Sequence, residues 1–416
     1  MNSQFLRNVL NLTSATALGQ VLVLLALPFI TRLYSPSDFG LFGLFTAVLS
    51  VFMVISALRY EVAIPLSGLV KDARLLILIA IVISSIFSLV ILLVVIIIGD
   101  WIVEFSGQAK LKDYLLIFPI AVFIGSGYRI MNFWSIRGGE YNRIAKTKLL
   151  QSVSYILIQL SIGLMGGGVI GLILGHVIGQ SVGFFTLAKN SEVLNSSRNF
   201  VGQKLRVIAL LRRYCKFPKF DAPAALLDTA SSQLPNLLLV FIFGPIVAGM
   251  YLLAERVLAA PMGIVGQAMG QVFYGDTRSL LANGSLGKRS LNMAVGMLII
   301  LLPIVIVVFI CSEFFFQIIF GDSWSDAGLF ASWLVFGVAA QLIYSPLSVI
   351  LMATSGQKWN LYIHIVLLFF KCLALGISYY LDDPLIAVVG ISFSILIIYG
   401  LSIIFILKRA FSFSKL

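Results

Sequence analysis

The residues of this chain that could do chemistry are ionisable side chains set inside long apolar stretches. Glu255 and Arg256 fall about ten residues into one stretch, on the order of 15 Å deep at the helical rise, and Lys371 sits similarly deep in another. Arg59, Glu61, Arg129 and Asp228 lie nearer the ends of their stretches. His364 shares a helical face with Lys371, and Asp221, Asp228, Ser232 and Asn236 form one polar stripe. Ionisable groups are costly in lipid, so these are expected to face a bundle interior or a wet cavity. Arg129, Arg256 and Lys371, with Arg59, could form a cationic cavity that attracts an anionic headgroup such as a pyrophosphate. Glu61, Asp228, Glu255 and His364 could respond to protons or tune those cations. Plain structural roles stand beside these: Glu255 as an ion-pair partner of Lys371 or Arg129, and Arg59 with Glu61 as the polar end of a helix.

Covalent chemistry finds little footing. The two histidines are His176 and His364, and no HExxH, nucleophile elbow or Walker loop is present. Without a P-loop, a self-powered ATP pump is disfavoured. Cys215, Cys311 and Cys372 are odd in number and far apart, which predicts neither a disulfide framework nor a metal site.

The elements that hold these residues are membrane helices. Hydrophobic residues make up 60% of the chain and charged residues 11%, with a mean hydropathy of +1.05. No water-soluble domain hides that much apolar surface. A crossing needs about 20 apolar residues. Twelve stretches qualify, near 9–30, 39–62, 75–99, 114–135, 149–167, 169–188, 222–243, 246–274, 291–311, 327–350, 360–380 and 385–407. Strand alternation is absent, which disfavours a barrel. With the N-terminus inside, the outer loops hold only Arg32, Lys110 and Lys112, while most Lys and Arg fall on the inner side. The positive-inside rule then places both termini in the cytoplasm.

A short hairpin signal occurs twice, half a chain apart. Tyr34-Ser35-Pro36-Ser37-Asp38-Phe39-Gly40-Leu41-Phe42 and Phe243-Gly244-Pro245-Ile246-Val247-Ala248-Gly249-Met250-Tyr251 share the frame aromatic–small–Pro–x–x–x–Gly–apolar–aromatic. Each copy follows the first stretch of a half. Two six-helix bundles entering the membrane in the same direction predict a parallel repeat with a cavity between the halves. The expected parts are an N-terminal lobe 1–188, a basic cytoplasmic linker 189–221 and a C-terminal lobe 222–416. The linker is expected to be solvated and to follow anionic headgroups. Gly163, Gly167, Gly171, Gly175, Gly179 and Gly183 recur every four residues and predict close helix packing.

The run Leu27-Pro28-Phe29-Ile30-Thr31-Arg32-Leu33-Tyr34-Ser35-Pro36-Ser37-Asp38-Phe39-Gly40, followed by Arg59-Tyr60-Glu61-Val62-Ala63-Ile64, resembles the oligosaccharide flippases of the Wzx type. These belong to the multidrug/oligosaccharidyl-lipid/polysaccharide exporter superfamily. The resemblance implies an all-α polytopic protein of about twelve transmembrane helices, two pseudo-symmetric six-helix bundles in a V-shaped fold. It implies no enzyme activity and no cofactor, with alternating access coupled to a proton or sodium gradient. The implied substrate is an undecaprenyl-diphosphate-linked oligosaccharide, carried across a bacterial inner membrane for O-antigen, capsule or related polymers. A polysaccharide polymerase and assembly proteins are the implied partners, and no nucleic acid is expected. A drug antiporter of the same superfamily and a polytopic O-antigen polymerase are the alternatives.

Overall fold

The computed structural model describes residues 3–107, 112–189, 204–353 and 357–413. Every regular element among them is helical, because long apolar runs in lipid must satisfy their backbone groups internally. The first part of the chain holds α1 (Ser3–Leu33), α2 (Pro36–Ile55), the one-turn α3 (Tyr60–Ala63) and α4 (Val70–Ser106). A short α5 (Lys112–Leu115) precedes α6 (Ile117–Arg137), α7 (Tyr141–Leu164) and α8 (Val169–Ala188). A linker helix α9 (Lys204–Arg213) and a π-turn (Phe217–Asp221) lead to α10 (Ala222–Ala282). Then come α11 (Leu286–Phe320), a 3-10 turn (Asp322–Trp324), α12 (Ser325–Ala353), α13 (Gln357–Leu381) and α14 (Pro384–Phe413).

Among the described residues, nine helical stretches are long and apolar enough to cross a bilayer. One of them, Phe217–Gly266, has 50 residues, more than twice the ~20 that one crossing needs. Its helix α10 breaks at Gly244, where φ is 85° and ψ is 174°, a region open to glycine alone. The more polar α6 and α7, at 21 and 24 residues, also have crossing length. All twelve expected stretches therefore lie on helices of crossing length. The largest shortfall is that the stretch expected over 39–62 stops at Ile55. Leu58 and Arg59 take left-handed φ values of 49° and 64°, and the chain restarts as α3.

The chain divides into two compact units. Unit one comprises Met1–Ala26 and Leu41–Leu237; unit two comprises Leu27–Gly40 and Leu238–Leu416. In unit one, α3, α4, α6 and α8 pack around Tyr60, Ile64, Leu76, Ile130 and Leu187, all buried. Leu210 and Tyr214 join this core, with Val207 and Leu211 packed against it. These four follow the i, i+3, i+4, i+7 rule, so the described part of the basic linker is a docked amphipathic helix instead of a solvated connection. Its preceding residues 190–203 lie outside the described residues. The glycine stripe of α8 meets α7 as expected: added Cβ atoms at Gly175, Gly179 and Gly183 would strike Gln159, Tyr155 and Gln151. His176 packs edge-on between Phe42 and Tyr155, at 6.1 and 6.4 Å.

In unit two, α11, α12 and α14 pack closely. The Gly337 amide donates to Ser392 Oγ at 3.0 Å, and that hydroxyl donates to the Trp333 carbonyl at 2.6 Å. The two hairpin copies begin their second helices by different means. In the first, Ser35 and Asp38 form a reciprocal cap: the Ser35 amide donates to Asp38 Oδ2 at 2.9 Å, and the Asp38 amide donates to Ser35 Oγ at 3.2 Å. In the second, Gly244 alone makes the corner before Pro245. The shared glycines meet the other copy. A Cβ on Gly40 would run into the Pro245 carbonyl, and a Cβ on Gly249 into that of Pro36. Nearby, Trp324 is fully buried and its Nε1–H donates to the Thr31 carbonyl at 3.0 Å. Its ring meets Phe39 edge-on at 4.9 Å.

Candidate functional site

Most of the polar residues singled out in the sequence lie in one constellation in each unit, and Asp228 and Ser232 stand apart from them at the surface. In unit one, the centre is the break between α2 and α3. Left-handed Arg59 extends from it, and its Nε donates to Asp221 Oδ2 at 2.7 Å. Two residues on, Glu61 points into the protein and is 1% exposed. Its Oε1 accepts from Arg129 Nη2 at 3.2 Å, while Arg129 Nη1 donates to the Met53 carbonyl at 3.0 Å. Arg129 thus joins α6 to the last turn of α2 and to α3. Glu61 Oε2 is buried without a hydrogen-bond partner among the described atoms. A half-satisfied carboxylate in a low-dielectric setting is held mainly by its one guanidinium.

Around this pair the linker is tied to the same unit. Arg206 on α9 pairs with Asp72 at the start of α4 at 2.7 Å, and the Tyr60 hydroxyl donates to the Leu211 carbonyl at 3.4 Å. Asp228 and Ser232 on α10 are exposed, whereas Asn236 is buried. The expected polar stripe therefore has one member bound to Arg59, two at the surface and one inside.

In unit two, Glu255 and Arg256 lie on the second part of α10, both half-buried. Lys371 on α13 is buried at 9% exposure. Glu255 lies within electrostatic range of Lys371 and of the buried Tyr251. Arg129, the other partner considered for Glu255, pairs with Glu61. His364 lies on the same α13 face as Lys371 but packs edge-on to Tyr399, at 6.4 Å. Tyr399 stacks on Tyr344 at 4.3 Å, and the Tyr344 hydroxyl donates to Asn360 Oδ1 at 2.7 Å. This tyrosine pair was not evident from the sequence, since aromatic residues on apolar helices carry no mark of pairing. Asp221 stood on a recognised stripe, yet nothing in the local pattern joined it to Arg59, 162 positions away.

Among the described residues no group of three or more His, Cys, Asp or Glu side chains could hold a metal ion. Both constellations hold cations close to carboxylates inside apolar helices. Such pairs can bind anions by exchanging an internal carboxylate for a ligand, and they can change state with a proton.

Comparison with solved structures gives the fold. The lipid II flippase MurJ in an inward closed conformation superposes with a TM-score of 0.74 at 16% identity, over 96% of this chain and 88% of that one. An inward-facing multidrug resistance MATE family transporter of the MOP superfamily matches with a TM-score of 0.69 at 17% identity, over 95% and 96%. A mutant of the Vibrio cholerae MATE transporter VcmN matches at 0.62 and 16% identity, over 98% and 97%. At these identities the likeness is one of fold. No curated protein sequence matches the chain. The sequence pattern of the polysaccharide biosynthesis proteins matches residues 29–328, a span that includes both hairpin copies, both α10 segments and the Arg59, Arg129 and Glu255 positions. With that match over more than half its length and the helical architecture of the MOP transporters throughout, the chain belongs to the polysaccharide biosynthesis protein family.

Proposed function

We propose that the protein is a flippase that moves undecaprenyl-diphosphate-linked oligosaccharide repeat units from the cytoplasmic to the periplasmic leaflet by alternating access. The observation that carries this reading is that Arg129 in one unit, and Arg256 and Lys371 in the other, lie on helices of a chain of the polysaccharide biosynthesis family, with Arg59 at the break between α2 and α3. A diphosphate attached to a glycan is the anion such a pathway must move. Flipping breaks no covalent bond, which suits a site made of cations, carboxylates and tyrosines. Within its own unit, Arg129 would receive phosphate oxygens as it gives up Glu61, and Lys371 would do so beside Glu255. Glu61, Asp228, Glu255 and His364 are the groups through which a proton or sodium gradient would act. The membrane is the bacterial inner membrane, with both termini cytoplasmic, as the distribution of Lys and Arg supports.

The test is made in a strain that lacks the protein. Complete lipid-linked repeat units should accumulate on the cytoplasmic face and return to the periplasmic face when the gene is restored. Single units accumulating on the periplasmic face would mark a polymerase instead. Resistance to cationic dyes on expression, with no effect on repeat units, would mark a drug antiporter.

A further inference from the structure

An apolar groove of about 440 Å³ opens between α11, α12 and α14 in unit two. Leu298, Phe336, Ala340 and Gly400 are among its lining residues, and every described residue that lines it is apolar. Gly400 keeps it open: a Cβ there would meet nothing within 4 Å. Along α14 the groove runs from Leu396 to Leu407. At the helical rise this is roughly 16 Å, about half of a ~30 Å hydrocarbon core. It is long enough for a chain that spans one leaflet.

At Leu407 the groove meets a second hollow, lined also by Ile404, Lys408, Phe411 and Ser412. Lys408 is exposed. Gly287 packs against Phe411, so the exposed Lys288 and Arg289 enter α11 beside the same end. Among the described residues, no acidic side chain lines either hollow. The groove is thus apolar along its length and cationic at one mouth, the polarity of an anionic lipid seen from its receptor.

We propose that this groove binds one anionic glycerophospholipid, with an acyl chain between α11, α12 and α14 and the phosphate at Lys408. A polyprenyl carrier is the poorer occupant, because its chain outruns a groove one leaflet long. A lipid tail gains nothing from leaving other tails for leucine side chains, so retention rests on fit and on charge. Headgroup selectivity and salt sensitivity follow. The site is separate from Arg256 and Lys371 and does not depend on what the protein transports.

The experiment is native mass spectrometry of the full delipidated chain in detergent, titrated with phosphatidylglycerol, phosphatidylcholine or undecaprenyl phosphate. One phosphatidylglycerol should be retained, about tenfold more tightly than phosphatidylcholine. Gly400→Leu and Ala340→Phe fill the groove and should each lower that affinity about tenfold. Lys408→Glu, at an exposed position that leaves the fold intact, should lower it several-fold. Unchanged phosphatidylglycerol binding in Lys408→Glu and in a monodisperse groove variant would overturn the proposal. So would equal affinity for the two phospholipids, or tighter binding of undecaprenyl phosphate.

Discussion

Gly40 and Gly249 hold equivalent positions in the two hairpin copies, and each lies against the backbone of the other copy. Gly40 faces the Pro245 carbonyl, Gly249 faces the Pro36 carbonyl, and the space for a Cβ on Gly249 also abuts the Gly40 amide. The glycine of the repeated frame is therefore required by the contact between copies, and the proline before it supplies the surface that each glycine meets.

Alanine at either glycine should destabilise the protein, because the obstructing atoms are backbone and cannot rotate away. The expected cost is about 1–3 kcal/mol each, as for other overpacked sites. The two changes press on one contact, so the double variant should cost less than their sum. Thermal unfolding in detergent, followed by size-exclusion elution, reads all three. Additive losses would mean that the two glycines do not share a contact.

The Glu61–Arg129 pair makes a sharper prediction. Arg129→Gln leaves a carboxylate at 1% exposure without its guanidinium, and loss of one partner of a buried pair costs about 3–5 kcal/mol. Glu61→Gln with Arg129→Gln removes both charges and should recover most of that stability. Surface polymer should stay absent in the double variant if Arg129 also receives substrate. Polymer at the level of the unchanged protein would confine the pair to a structural role.

In unit two, Arg256→Ala and Lys371→Ala should abolish export while the protein still reaches the membrane at normal levels. Glu255→Gln should be milder, since it removes the competing carboxylate and leaves Lys371 in place. Immunoblots of membranes beside surface-polymer gels separate loss of function from loss of protein. Full polymer in both cation variants would end the role assigned to Arg256 and Lys371.

The linker offers a contrast between burial and charge. Arg206→Ala breaks an ion pair whose arginine side chain is 37% exposed, and such pairs contribute at most about 1 kcal/mol. Leu210→Ala opens the core at a residue with 3% exposure and should cost about 2–5 kcal/mol. Limited proteolysis should find α9 newly cleavable in Leu210→Ala and protected in Arg206→Ala. The reverse order would mean that charge holds the helix.

The helices were legible because hydropathy acts on whole stretches and survives ignorance of packing. The hairpin frame was legible too, although each half alone gave no reason for its glycine. The end of α2 was not. Leu58 and Arg59 carry no sequence mark of left-handed backbone, and an apolar run through Ile64 reads as continued helix. The linker misled by its charge: eight basic side chains between Lys189 and Asp221 masked Val207, Leu210, Leu211 and Tyr214 at core spacing. Ion pairs 68 and 162 positions apart left no local trace at all.

Trp324 has a use beyond packing. Its indole sits in an apolar box, with the ring edge on Phe39 and the N–H held by the Thr31 carbonyl. That environment should give blue-shifted emission, and any loosening of the turn before α12 would shift it red. Trp101, Trp134, Trp333 and Trp359 would be replaced first, so that one indole reports. The end of α1 therefore comes with its own dye, and its motions can be followed by intrinsic fluorescence without a label.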